Sequence, residues 1–106
     1  MPERPADETP EMRRLRKRID ALDRRIVGLL NERAALGREV GRAKLDAGRR
    51  AIADAERERE VLLRVSMANA GPIPQADLLA IYRRLIRATK AVEARDRRRA
   101  ETTDGD

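Results

Sequence analysis

Apolar residues recur at alternating spacings of three and four from Met12 through Leu15, Ile19, Leu22, Ile26 and Leu29, and again at Leu36, Val40 and Ala43. That period marks one face of an α-helix, a face that packs against other helices. Arg33 stands in the seam where the stripe requires another apolar residue. A guanidinium does not lose its charge, so it needs an anionic partner in such a place. Either an internal carboxylate supplies the partner, or the helix lines a pocket for an external anion. The ends of this helix are legible too. Thr9 is a suitable N-cap, Pro10 suits the first helical position and Glu11 complements the dipole. The pattern runs to about Leu45, and Asp46-Ala47-Gly48 supplies the stop, with Gly48 as a left-handed C-cap.

Residues 49–53 read as a linker, with Asp54 as the N-cap of a second helix running to about Asn69. Gly71-Pro72-Ile73-Pro74 breaks the chain. A third helix starts near Gln75 and carries Leu78, Ile81, Tyr82, Leu85, Ile86, Thr89 and Val92 on one side. Past Ala94 only charged and small residues remain, which predicts a fraying tail. The expected organisation is a flexible segment 1–9, a helical domain 10–93 and a charged, disordered tail 94–106. No stretch alternates with period two, so the fold class is all-α: a three-helix chain with a long first helix. That helix would be roughly 55 Å long at 1.5 Å per residue. A compact monomer of this size would be only about 35 Å across. The far end of the stripe therefore needs a partner, most simply a second copy in a two-fold homodimer.

Composition narrows the chemistry. The 106 residues contain no cysteine and no histidine, which excludes disulfides and Ser-His or Cys-His nucleophile systems and argues against a zinc site. Tyr82 is the single aromatic residue, so any core is aliphatic. Apolar residues are 41% and charged residues 42% of the chain, a mix that suits a narrow helical core under a large surface. The polar start and the absence of a long apolar run predict a soluble, cytoplasmic protein without a membrane span. The net charge of +6 fits either nucleic acid or small anions as partners. Its clusters, at Arg13, Arg14, Arg16, Lys17 and Arg18 and at Arg95, Arg97, Arg98 and Arg99, read mainly as solvated faces.

Several polar residues lie on apolar faces. Lys44 follows Arg33 by eleven residues, about three turns, so both fall on nearly one line, with Gly37, Val40 and Gly41 between them. Two glycines inside a helix cost roughly 1 kcal/mol each relative to alanine. They imply close helix packing or a concavity flanked by two cations. On the second helix Asp54, Arg57 and Glu58 project toward the side of Val61 and Val65. Asp54 fits simple capping, whereas inward-facing Arg57 and Glu58 suggest a site. On the third helix Thr89 and Glu93 extend the stripe of Leu85 and Ile86. Glu93 is also readable as the start of the tail. Arg16 lies seventeen residues before Arg33 and points about 100° away from it, roughly 25 Å along the axis. It would reach such a site only in an antiparallel partner.

Four segments together carry a resemblance: Leu15-Arg16-Lys17-Arg18-Ile19-Asp20-Ala21-Leu22-Asp23, Leu29-Leu30-Asn31-Glu32-Arg33, Val40-Gly41-Arg42-Ala43-Lys44 and Asp54-Ala55-Glu56-Arg57-Glu58. They are similar to the all-helical (AroQ-type) chorismate mutase family over residues 12 to 93. The resemblance implies an intertwined homodimer and a Claisen rearrangement of chorismate to prephenate, without metal or cofactor. It implies that Arg33 and Arg57, with Arg16 donated across the dimer, bind the substrate carboxylates. Lys44 would donate to the ether oxygen, and Glu58, helped by the Asp54 region, would hold the ring hydroxyl. Thr89 would lie near a carboxylate, and Val40 and Ile86 would form apolar walls. Glu93 stands where many family members have glutamine as a second donor to the ether oxygen. A carboxyl group donates only when protonated; burial favours that form and a nearby Lys44 disfavours it.

Related chemistries share the fold. 4-Amino-4-deoxychorismate mutases act on an amine in place of the ring hydroxyl, and Glu58 would accept either group. Isochorismate-pyruvate lyases use similar cations with a second-helix motif unlike the one here. A basic helical dimer binding nucleic acid is the non-enzymatic alternative, but it has no use for Arg33 and Lys44 inside a seam. A partner enzyme of the shikimate pathway is compatible with the resemblance.

Overall fold

The computed structural model describes residues 8–48 and 51–104, the side chains of 51–54, 100, 101, 103 and 104 excepted. The first seven residues of the expected flexible segment and the last two of the tail lie outside them. Three helices follow one another: α1 (Pro10–Asp46), α2 (Ala51–Ala68) and α3 (Gln75–Asp104). The chain divides into two units, Met1–Glu32 and Arg33–Asp106.

In the first unit α1 starts as its sequence dictates. The Met12 amide donates to Thr9 Oγ1 at 3.1 Å, and Pro10 takes the first helical position, where an N–H is not missed. Arg16 forms an ion pair with Glu8 Oε1 at 2.8 Å. The apolar stripe of this unit is uncovered in the single chain: Met12, Leu15, Ile19, Leu22, Ile26 and Leu29 are 39% to 60% exposed. Little of the hydrophobic free energy of these side chains is realised within one copy.

In the second unit α1 ends at a left-handed glycine, Gly48, with φ +66°. Its amide donates to the Leu45 carbonyl at 3.2 Å, satisfying one of the carbonyls that the helix end leaves open. α2 and α3 are joined by a turn organised by Asn69. Its Oδ1 accepts from the Gly71 amide at 3.0 Å, and its Nδ2 donates to the Ile73 carbonyl and to Gln75 Oε1, each at 3.1 Å. Gly71 sits at φ +78°, where a side chain would be strained, and the Gly71–Pro72 peptide is cis. α2 and α3 pack on each other. Their half-buried residues include Val61, Leu62 and Val65 on α2 and Leu78, Tyr82, Leu85 and Ile86 on α3.

α1 approaches α3 closely at two glycines. A Cβ built on Gly37 would lie 2.3 Å from Thr89 Cγ2, and one on Gly41 would lie 3.3 Å from Glu93 Cγ. One helical turn further along α3, Asp96 ties the two helices together. Its carboxylate accepts from Arg38 Nη2 at 3.0 Å and from Arg42 Nε at 3.1 Å. Among the described residues no hydrophobic side chain is fully buried, and Thr89 and Gly41 are the buried positions. The core is thin, and the Asp96 ion pairs add a polar link between α1 and α3.

Two expectations need correction. α2 begins at Ala51, so Asp54 lies inside the helix rather than capping it, and its side chain is outside the described residues. α3 does not fray at Ala94 but continues through Asp104. Its Arg, Ala and Glu residues are good helix formers, and Asp96 is anchored to α1.

The Arg42 and Arg38 hydrogen bonds hold the Asp96 carboxyl below its ordinary value of 3.8. A carboxylate with a lowered folded-state pKa adds stability above its unfolded pKa, and that stability is lost as pH falls through the folded value. Asp96→Asn is therefore expected to lower the melting temperature at neutral pH. The gap from wild type should close as the pH drops well below 3.8. Melts across pH check this; a constant gap would assign the effect to shape rather than charge.

Candidate active site

The closest approach of α1 and α3, with α2 alongside, encloses a cavity of about 290 Å³ that opens to solvent. This is near the lower end of the usual range for small-molecule sites. From α1 come Arg33, Gly37, Val40 and Lys44; from α2, Arg57, Glu58 and Val61; from α3, Ile86, Thr89, Lys90 and Glu93. Helical periodicity explains why one sequence presents all of these inward. Arg33, Gly37, Val40 and Lys44 recur at three- and four-residue steps, and so do Ile86, Thr89 and Glu93.

Each polar group has a local reason for its position. Arg33 is half-buried; its Nη1 donates to Thr89 Oγ1 at 3.5 Å, and its guanidinium lies 5.9 Å from the centre of the Tyr82 ring. The ring face is electron-rich and steadies the cation from the side. Thr89 in turn donates to the Leu85 carbonyl at 3.1 Å, which fixes its rotamer. Arg57 makes a loose contact of 3.4 Å with Glu60, on the same helix. Glu58 forms an ion pair with Lys90 across α2 and α3. The Glu93 carboxyl lies over both glycines of α1, its oxygens 3.4 Å from a Cβ built on Gly37 and 3.5 Å from one on Gly41. A Cβ on Gly37 would be in ordinary contact with this carboxyl, and one on Gly41 would press on Glu93 Cγ at 3.3 Å.

Four cations and two carboxylates line the cavity, so with all six ionised it carries a charge of +2. Its walls are otherwise aliphatic. A surplus of fixed positive charge on apolar walls is complementary to a small dianion. Guanidinium forks match carboxylates in particular.

Of the residues singled out in the sequence, Arg33, Val40, Lys44, Arg57, Glu58, Ile86, Thr89 and Glu93 meet at this cavity. Arg16 belongs to the first unit, where it pairs with Glu8. Asp54 cannot be assigned, because its side chain lies outside the described residues. Lys90, Leu36 and Val61 were not anticipated as site residues. Lys90 stands four residues after Ile86 and three before Glu93, so the same helical spacing points to it. No cluster of acidic residues suited to a metal ion occurs among the described residues, and no described helix is long and apolar enough to cross a membrane.

The chain is similar to known proteins in sequence and in fold. Residues 15–94 match the model of the family "Chorismate mutase type II". A bifunctional chorismate mutase/prephenate dehydratase of Aquifex aeolicus is 40% identical over 87 residues, covering 78% of this chain and 24% of that protein. The bifunctional chorismate mutase/prephenate dehydratase of Stutzerimonas stutzeri is 33% identical over 90 residues, 81% of this chain and 25% of that protein. The chain thus spans about a quarter of the length of these curated relatives. The solved structure of chorismate mutase (form II) from Thermus thermophilus superposes with a TM-score of 0.75 at 32% identity, covering 80% of this chain and 96% of that one. The chain belongs to the chorismate mutase type II family, a family of isomerases.

The two glycines beneath the site respond differently to a methyl group. Alanine gains about 1 kcal/mol of helix propensity at either position. At Gly37 the clash with Thr89 Cγ2 lies on a short, hydrogen-bonded side chain, and overpacking of that kind costs about 1–3 kcal/mol. Gly37→Ala should therefore be destabilising on balance. Gly41→Ala meets the flexible Glu93 at 3.3 Å and should be near neutral in stability. Denaturant unfolding of both variants checks the order.

Proposed function

We propose that this chain is a chorismate mutase, converting chorismate to prephenate, and that it works as a homodimer. The observation that carries the reading is the net positive, apolar-walled cavity in which Arg33, Lys44, Arg57, Glu58 and Glu93 converge. Within one substrate molecule the ether C–O bond breaks and a new C–C bond forms. No atoms enter or leave. The protein's task is to hold a flexible dianion in a near-attack conformation and to stabilise negative charge growing on the ether oxygen.

Arg33 and Arg57 take the two carboxylates, and Thr89, already within reach of Arg33, adds a hydroxyl beside one of them. Lys44 donates to the ether oxygen as charge develops. Glu93, resting over Gly37 and Gly41, is the second donor in its protonated form. Glu58 accepts from the ring hydroxyl, and Val40 and Ile86 press the ring and side chain together. The chemistry asks for no cofactor. The convergence of four cations on one small cavity favours this reading over nucleic-acid binding, which would spread them along an outer face.

The dimer follows from the uncovered stripe of α1, Met12 to Leu29, which a second copy would cover. Arg16 would be donated into the partner's site after exchanging Glu8 for a substrate carboxylate. An inactive Arg16→Ala variant mixed with an inactive Arg33→Ala variant should recover about a quarter of wild-type activity, as one intact site in each mixed dimer forms. No recovery after subunit exchange would remove Arg16 from the site, and sedimentation as a monomer would remove the dimer.

Absorbance loss of chorismate with identification of prephenate tests the activity directly. Lys44→Ala should lower kcat by about 10²–10³-fold or more, the scale of one lost oxyanion donor, with an unchanged circular dichroism spectrum. In the wild type the rate should fall as rising pH removes the Glu93 proton; Glu93→Gln, a donor at every pH, should flatten the profile. Near-normal turnover by Lys44→Ala, or an unchanged profile in Glu93→Gln, would contradict the assigned roles.

A further inference from the structure

Lys90 is the one cation of the cavity to which the proposed mechanism gives no task. It stands between Thr89 and Glu93 on the inward side of α3, and its ammonium pairs with Glu58 Oε1 from α2. Glu58 is the group that, under the mutase reading on which this inference rests, receives the substituent of the substrate ring. A bare carboxylate at that position would attract an ammonium substituent far more strongly than a hydroxyl. Paired with Lys90 it is no longer bare. A carboxylate has about four lone-pair sites, so a Lys90-bound Glu58 still accepts from a hydroxyl. An incoming ammonium would instead meet the Lys90 charge, in a cavity that already has a cationic surplus.

We propose that Lys90 is a specificity-determining residue: by holding positive charge against Glu58, it selects substrates whose ring carries a neutral hydroxyl over those carrying an ammonium. The size of the effect follows from exposure. The Lys90 side chain is 47% exposed and that of Glu58 37%, so water screens the interaction. Two like charges roughly 6 Å apart at such a site discriminate on the order of tenfold rather than a thousandfold. A neutral side chain at position 90 would leave Glu58 as an unpaired carboxylate and move the preference toward the amine.

The test is a competition. Wild type and the variants Lys90→Met, Lys90→Gln and Lys90→Arg are each given chorismate and 4-amino-4-deoxychorismate in one mixture, and both products are quantified. The ratio of the two kcat/KM values does not depend on the fraction of protein folded, so a variant that is merely less stable leaves it unmoved. Wild type should favour chorismate. Lys90→Met and Lys90→Gln should each shift the ratio toward the amine by about tenfold, and Lys90→Arg should keep the wild-type ratio. If chorismate is consumed but both neutral variants stay within about twofold of the wild-type ratio, Lys90 only ties α2 to α3 and the inference falls while the mutase reading stands. If wild type consumes neither substrate, the mutase reading falls and takes this inference with it.

Discussion

The second unit of this protein depends on how closely α3 can pass over α1. Two glycines, Gly37 and Gly41, remove the side chains that would hold the helices apart. Asp96, bonded to Arg38 and Arg42, then holds the crossing from one end. Because side chains on a helix recur with a fixed period, this one approach sets which residues of α1 and α3 meet within the unit. Arg33 comes beside Thr89 and Tyr82, and the Glu93 carboxyl comes to rest over both glycines. A bulkier residue at Gly37 would alter the site before any charged group was touched.

Close passage without a large hydrophobic core has a consequence for electrostatics. With no hydrophobic side chain fully buried among the described residues, the cavity is bounded by half-exposed cations rather than by deeply desolvated ones. Half-exposed charges are cheaper to keep, and their fields are weaker. The positive charge of the cavity therefore rests on number and convergence. Four cations and two carboxylates face one small space, and neighbouring groups fix the direction of Arg33 and of Glu58. Such an arrangement is suited to restraining a dianion and accommodating a shift of charge within it, which is what an isomerisation inside one molecule demands.

The first unit makes the complementary point. Its stripe from Met12 to Leu29 is as regular as any in the chain, yet within one copy it is largely open to water. Periodicity reports that a face is to be buried, not what buries it. The proposed homodimer supplies a second copy of the same face.

Much of this was written in the residue order. The three helices, the Thr9 cap, the Gly48 stop and the Gly71-Pro72 break follow from local rules, because capping bonds and left-handed backbone act over a few residues. Eight cavity-lining positions were legible for a similar reason, since helical period alone decides which residues share a face. Local rules fell short in three places. Asp54 looked like a cap, yet the helix begins before it at Ala51. The run after Ala94 looked too polar to stay ordered, yet Asp96 finds two arginines from α1, fifty-eight and fifty-four residues away in sequence. Lys90 meets Glu58 only because α2 packs on α3. The last two depend on which helix faces which. That choice is made at the crossing over Gly37 and Gly41: the two glycines mark a close approach in the sequence, but not which helix makes it.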